Sequence, residues 1–283
     1  NNKISKKMQK KISHLKKGKI YKLDVQSKKD ITKLLLKVRP KKIFYFAGQS
    51  SPAISFKKPR ETYLSNYLGC KNFLEVIHKN KIKCKFLNAS SCEIYGNFNG
   101  KLSLNTKKNP VSPYAKSKLH SFNITKLYRE KRNLRAFNAI IFNTESIYRD
   151  KHYLISKICL SAIKAKKFGK NTAFGNLNIS REWNWCTEQC DMILKFINKI
   201  PQDFILSNGK SYSALEMLNF AFEYFKLDYK KYVSFDKKFS RKRDIKKIKS
   251  NYIACLKRNN LKRNTIIEGK LLIKKLIRYY LSI

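Results

Sequence analysis

Lys83-Cys84-Lys85-Phe86-Leu87-Asn88-Ala89-Ser90-Ser91-Cys92-Glu93-Ile94-Tyr95-Gly96, with Cys84 directly after Lys83, is the stretch that decides the fold. Lys83–Ala89 is short, apolar at its centre and bounded by polar residues, which reads as a buried strand. It runs straight into a hydroxyl at Ser91, a carboxylate at Glu93 and a Tyr-Gly turn. A second stretch follows, Ser112-Pro113-Tyr114-Ala115-Lys116-Ser117-Lys118. Pro113 suits the first turn of a helix running to Lys131. On a helix, residues four apart share a face, so Tyr114 and Lys118 project together. An ammonium beside a phenol favours the phenolate, so Lys118 is expected to lower the Tyr114 pKa.

Outward from these stretches, strand-like and helix-like segments alternate. The spacing predicts strands at Lys19–Val25, Lys41–Ala47 and Leu134–Phe142. Helices are predicted at Lys28–Val38 and Glu61–Asn80, the latter with Leu64, Leu68, Leu74 and Ile77 on one face. This βαβα rhythm implies a parallel sheet covered by helices on both faces, with ligands beyond the carboxyl ends of the strands. Three polar clusters fall at predicted strand ends: Gly48-Gln49-Ser50, Ser91-Cys92-Glu93 and Asn143-Thr144-Glu145-Ser146. Past residue 147 the rhythm loosens. Helices are predicted at Lys151–Lys167, Thr187–Lys199 and Ser213–Lys226, and a short strand at Asp203–Leu206. A basic amphipathic helix begins at Gly269 and is expected to pack on its own domain. The predicted division is 1–147 and 148–283.

The 283 residues and 42% hydrophobic content describe a globular chain with a sizeable core, not a disordered one. The formal charge of +46 admits two readings. A basic surface attracts nucleic acid or another polyanion. Compositional drift gives the same charge without selection, because lysine is enriched together with asparagine, isoleucine, phenylalanine and tyrosine. The lysines are spread along the chain, and their densest runs, Lys3–Lys19 and Lys237–Lys249, lack the interleaved aromatics of a single-strand binder. Drift is the reading adopted, and nucleic acid is not an expected partner. Seven cysteines, an odd number at irregular spacing, point to a reducing cytoplasm. Cys186 and Cys190 share a predicted helix face, but no second ligand pair follows, so they read as packing cysteines and no metal is expected. No apolar run is long enough to span a membrane.

The Ser-x-Glu-x-Tyr-Gly turn and the Tyr-x-x-x-Lys helix resemble the extended short-chain dehydrogenase/reductases that act on nucleotide sugars. Ala47-Gly48-Gln49-Ser50, Phe142-Asn143-Thr144-Glu145-Ser146, Gly175-Asn176-Leu177, Arg181-Glu182-Trp183 and Pro201-Gln202-Asp203-Phe204 narrow the resemblance to the GDP-mannose 4,6-dehydratase family, from about Leu23 to Arg243. The resemblance implies an α/β Rossmann-like doubly wound sheet with a smaller α+β substrate domain. It also implies a homodimer or homotetramer acting on GDP-mannose with NADP, NAD being the other option. In the family pattern Tyr114 takes the proton from the sugar 4-hydroxyl, Ser91 hydrogen-bonds the reacting oxygen and Glu93 takes the C5 proton. Lys118 tunes Tyr114 and contacts the nicotinamide ribose. Asp24, Ala47, Gly48, Gln49 and Arg149 match cofactor positions. Ser50, Asn143, Lys157, Arg181 and Arg241 match substrate positions.

Several of these residues have plainer readings: Asp24 as a turn residue, Asn143 as the cap of its strand, Arg181 and Arg241 as solvated charges. The chain departs from the family pattern in three substitutions, Thr144 for histidine, Cys92 for a small hydroxyl residue and Glu61 for tyrosine. It contains no G-x-x-G-x-x-G anywhere. The expectation is therefore an N-terminally incomplete sequence, lacking the first strand and its glycine-rich turn. Two alternatives stay open, a nucleotide-sugar 4-epimerase and an inactive polyanion-binding relative.

Overall fold

A computed structural model describes residues 18–98, 100–236, 247–262 and 266–283. Ser27 opens the first helix among the described residues, α1 (Lys28–Val38), by accepting from the Asp30 amide at 3.1 Å, and Arg39 closes it in the left-handed region. Strand β1 (Lys42–Tyr45) follows. Short helices α2 (Pro52–Lys57) and α3 (Pro59–Tyr63) lead through a π turn at Leu64–Leu68 into α4 (Gly69–Lys79). Strand β2 (Lys85–Ser91) ends in a 3-10 turn, Cys92–Tyr95, followed by the two-residue β3 (Lys101–Leu102). Helix α5 (Pro113–Arg132) has its first turn capped by Ser112, which accepts from the Ala115 amide at 3.1 Å. Next come β4 (Ala136–Ile141), β5 (Thr144–Glu145), α6 (Leu154–Phe168), β6 (Thr172–Phe174), β7 (Ser180–Arg181) and β8 (Asn184–Trp185). The chain continues through α7 (Cys186–Phe196), β9 (Asp203–Leu206), α8 (Ala214–Glu223), α9 (Tyr252–Arg258) and α10 (Gly269–Leu281).

The main sheet has the order β1-β2-β4-β9 and is parallel throughout. Period-two alternation sends neighbouring residues to opposite faces. Phe86 joins Ile31, Leu35, Phe73 and Ile77 under α1 and α4, while Leu87 joins Phe137, Phe196, Phe204 and Tyr252 on the other face. A polar ladder crosses the middle at one register level. Asn88 Nδ2 donates to Asn138 Oδ1 at 2.9 Å, Asn138 Nδ2 to Asp203 Oδ1 at 2.9 Å, and Arg129 Nη1 reaches the same carboxylate at 2.8 Å. A one-residue slip would turn these side chains to the other face and leave them unpaired, so the ladder fixes register. A separate core joins α6, α8 and α10, with Leu272, Ile273, Leu276 and Ile277 of α10 buried in it. The amphipathic α10 thus packs on its own domain, as expected. Among the described residues no helix is long and apolar enough to cross a membrane.

Four expectations are corrected. Lys19–Val25 is not a strand. Leu23 and Val25 dock on the α1 side of the core, but the segment lies outside the sheet and has no ladder partner there. The strand predicted as buried at Lys41–Ala47 is an edge strand among the described residues, and Phe44 and Phe46 are 37% and 54% exposed. The apolar face of the long helix is rotated, because the π turn adds a residue to one turn. Thr62, Asn66 and Cys70 are buried, while Leu64 and Leu68 are only half-buried. Finally, β9 lies beyond residue 148 yet completes the first sheet, and α7 and α9 cover it, so the two cores do not divide at 147/148.

Candidate active site

Strand direction alone brings three loops together. β1, β2 and β4 run parallel, so their carboxyl ends open on the same side. Gly48, Gln49, Ser50, Ser91, Cys92, Glu93, Asn143, Thr144 and Glu145 line one cleft of about 260 Å³ with Tyr114, Lys118, Arg149 and Arg181. Phe46, Pro52, Ile179 and Trp183 supply apolar wall.

Two glycines shape the loops. At Gly96, φ is +64°, and an added Cβ would lie 1.9 Å from the Asn109 carbonyl oxygen. The turn holding Glu93 is thereby seated on the 97–109 loop. At Gly48, φ is +133°, and a Cβ would lie 1.9 Å from Asn66 Oδ1. Asn66 Nδ2 donates to the Gln49 carbonyl at 3.1 Å and to Ser117 Oγ at 3.0 Å, tying that loop to α5.

At the heart of the cleft, Ser91 Oγ accepts from the Glu93 amide at 3.2 Å, which sets the acid's turn. Ser91 and Tyr114 line this cleft together. Lys118 is 6% exposed; its Nζ donates to the Ala89 carbonyl at 2.8 Å and lies 5.9 Å from the Tyr114 ring centroid. Burial pulls the Lys118 ammonium down to about 8. Burial also pushes the Tyr114 phenol well above its usual value, with the Ser91 hydroxyl opposing and the Glu93 charge adding to the rise. The expectation that Lys118 lowers the Tyr114 pKa is corrected: desolvation dominates this phenol, and the ammonium is committed to Ala89.

The other end of the cleft carries groups that the sequence reading did not single out individually. Glu145 is 2% exposed, and burial raises it to about 7 against the opposing pull of Arg149. Arg149 Nε lies 3.1 Å from its carboxylate, Arg149 Nη1 donates to the Thr144 carbonyl at 2.6 Å, and the guanidinium sits 4.0 Å over the Tyr153 ring. Tyr153 in turn is 3.3 Å from Ser50 Oγ. The polar run 143–146 pointed to Glu145, whereas nothing in the sequence marks Tyr153. Asn143 presents its carbonyl to the Asn184 side chain at 2.9 Å, and Arg181 is buried at 3% exposure.

Three matched positions lie outside this cleft, and a fourth falls on residues not described. Asp24 is exposed and accepts from the Gln26 amide at 2.9 Å, the turn role weighed above. Ala47 is exposed and outside the cleft lining. Lys157 is turned toward β6, donating to the Ala173 carbonyl at 2.6 Å with its ammonium 4.6 Å over the Phe174 ring. Arg241 lies outside the described residues.

The family model described as GDP-mannose 4,6 dehydratase matches residues 1–275. A GDP-mannose 4,6 dehydratase of Caenorhabditis elegans is 31% identical over 204 residues, 70% of this chain and 53% of that protein. One from Arabidopsis thaliana is 29% identical over 235 residues, 81% of this chain and 65% of that protein. The chain thus spans between about half and two thirds of the length of these curated relatives. Among solved structures, RMD from Pseudomonas aeruginosa complexed with NADPH superposes with a TM-score of 0.83 at 16% identity, covering 97% of this chain and 95% of that one. UDP-glucuronic acid 4-epimerase from Bacillus cereus, with UDP-glucuronic acid and NAD, gives 0.84 at 15% identity, covering 97% and 86%. At such identities these two speak for the Rossmann-like fold alone. The family match over nearly the whole chain goes further, and the chain belongs to the GDP-mannose 4,6 dehydratase family.

Proposed function

We propose that this protein is a nucleotide-sugar 4,6-dehydratase, a lyase converting GDP-mannose to GDP-4-keto-6-deoxymannose. The observation that carries the reading is the carboxylate of Glu93 in the same cleft as Ser91, Tyr114 and Lys118. Oxidation and reduction at one carbon need only the last three. Elimination needs an acid-base group as well.

The cleft fits a nicotinamide dinucleotide at its reactive end. Gly48 leaves no room for a side chain beside Asn66, so the loop passes as bare backbone, and Lys118 holds a buried cation next to Tyr114. Gly48, Gln49, Lys118 and Arg149 would hold the group. A glycine-rich cradle for its diphosphate has no counterpart in this sequence. When bound, the cofactor, NADP in this reading, supplies a hydride acceptor that is restored within one turnover. Tyr114 receives the proton of the sugar 4-hydroxyl in its phenolate form, which burial opposes and a cationic nicotinamide ring bound beside it would favour, and Ser91 orients that oxygen. The resulting 4-ketone acidifies C5; Glu93 removes the C5 proton and assists departure of the C6 hydroxyl as water. Ser50, Asn143 and Arg181 contact the substrate, Arg181 offering a two-pronged donor suited to phosphate oxygens. Asp24, Ala47 and Lys157 take part only through a rearrangement from the positions described. Two lobes, a cytoplasmic location and a homodimer or homotetramer belong to the same proposal, and light scattering tests the assembly.

The deciding experiment incubates the protein with GDP-mannose and NADP. A product absorbing in alkali as a 4-keto sugar is expected. Formation of a C4 epimer instead, unaffected by Glu93→Gln, would overturn the reading in favour of an epimerase.

A further inference from the structure

Two walls of the cleft come from strands that do not touch. β2 lies between β1 and β4, so the 48–50 loop and the 143–153 segment leave the sheet two strand spacings apart, roughly 10 Å. One side chain crosses from one wall to the other. Tyr153, the residue just before α6, places its hydroxyl 3.3 Å from Ser50 Oγ, and the two are 103 residues apart in the chain. Both line the cleft, on either side of the strand end that carries Ser91.

The ring of Tyr153 meets Arg149, whose guanidinium lies 4.0 Å from its centroid. His152 stacks on the same ring with centroids 4.5 Å apart. Arg149 is also held by the Glu145 carboxylate, 3.1 Å from Nε, and by the Thr144 carbonyl, 2.6 Å from Nη1. Two backbone turns set the spacing: the Arg149 amide donates to the Ser146 carbonyl and the Tyr153 amide to the Asp150 carbonyl, both at 3.1 Å. A planar guanidinium is attracted to an aromatic face, so the ring fixes its plane as well as its place. Ser50 is exposed, and its hydroxyl would otherwise rotate among three staggered positions; a partner across the cleft selects one.

We infer that Tyr153 is a positioning residue joining the two halves of this cleft: its ring face fixes Arg149 on the side of the cofactor, and its hydroxyl fixes Ser50 on the side of the sugar. The inference rests on the cleft being the dinucleotide and GDP-sugar site proposed above. The two roles use different parts of the side chain. Any aromatic ring offers a face to a guanidinium, whereas the phenol alone offers an oxygen to Ser50. Tyr153 is half-buried on the cleft wall, so a change there should cost binding before stability.

The test is calorimetric titration of the full chain with NADPH, then of the NADPH-loaded protein with GDP-mannose. The reduced cofactor accepts no hydride, so the second titration reads binding without turnover. Tyr153→Phe keeps the ring and loses the oxygen. Its NADPH affinity should match the wild type, while its GDP-mannose affinity falls about two- to tenfold, the worth of one net hydrogen bond. Tyr153→Leu loses both, and its NADPH affinity should fall about three- to thirtyfold as well. Because the phenol acts through Ser50, adding Tyr153→Phe to Ser50→Ala should weaken GDP-mannose binding no further. Additive losses in that pair, an unchanged GDP-mannose affinity in Tyr153→Phe, or NADPH binding that does not separate Tyr153→Phe from Tyr153→Leu would overturn the inference. Wild type that binds both ligands yet forms no 4-keto product would sink the dehydratase reading, and the variants would still decide the role of Tyr153. Wild type that binds neither ligand refutes both. If Tyr153→Leu fails to fold, as judged by circular dichroism, Tyr153→Phe and the double variant decide.

Discussion

Glu93 and Glu182 both sit in short motifs that resemble the family's, and the structure uses them in opposite ways. Glu182 is fully buried and accepts from Ser207 Oγ, from the Gly209 amide at 3.0 Å, and from the amide and hydroxyl of Ser250 at 2.5 and 2.7 Å. It fastens the segment after β9 to residue 250 and faces no cleft. Glu93 is half-buried, lines the cleft and acts electrostatically on Tyr114. A carboxylate saturated by donors from three other residues holds a fold. One seated among reactive groups at a strand end lies where chemistry can use it. The residue type is the same; the depth of burial and the neighbouring cleft separate the two roles.

The sharpest way to break this contrast is to truncate both acids. Glu182→Ala should lower unfolding free energy by about 3–5 kcal/mol, because buried donors lose a charged acceptor. Urea denaturation measures it, and a loss under ~1 kcal/mol would erase the distinction. Glu93→Gln should cost far less stability than Glu182→Ala, because Glu93 is only half-buried, while cutting the dehydration rate by about a hundredfold or more. Steady-state assays with GDP-mannose decide this, and equal losses of stability in the two variants would show that both acids are structural.

Gly96→Ala sharpens the comparison by moving the Glu93 turn without touching the acid. The added methyl meets the Asn109 carbonyl in a left-handed turn, so a loss on the order of 1–3 kcal/mol is expected. Thermal melting reads it directly. The remaining effect concerns Lys118. Its pKa is depressed on folding to about 8 from an ordinary 10.5, so the unfolded chain binds more protons between these values. The stability it contributes is present above 10.5 and is lost as pH falls through 8. Relative to Lys118→Met, the wild type should therefore gain stability as pH rises across this window, and a flat difference would show that the lysine is not desolvated.

Much of this site was legible because helix caps and strand ends are local events. Ser112-Pro113 announced the start of α5 and Ser27 that of α1, while the polar residues ending β1, β2 and β4 met as parallel strands require. What escaped depends on distant partners. Lys19–Val25 has strand-like alternation but no ladder partner among the described residues. Leu64 and Leu68 keep helical spacing, yet a π turn rotates them away from the core, a shift no periodicity shows. Lys157 is diverted by the Ala173 carbonyl and Tyr153 is recruited by Arg149, both outcomes of tertiary packing. The return of β9 into the first sheet likewise depends on the Asn88–Asn138–Asp203 ladder, whose members lie far apart in the chain.

The backbone at residues 48 and 96 sets a limit on genetic change. This lysine- and asparagine-rich chain retains only nine glycines, and at these two positions even the smallest side chain collides with its surroundings. Saturation libraries at the two codons should return glycine almost alone, even where neighbouring codons accept nearly anything. A gene under strong base-composition pressure would then be anchored at a few sites that have no chemistry of their own.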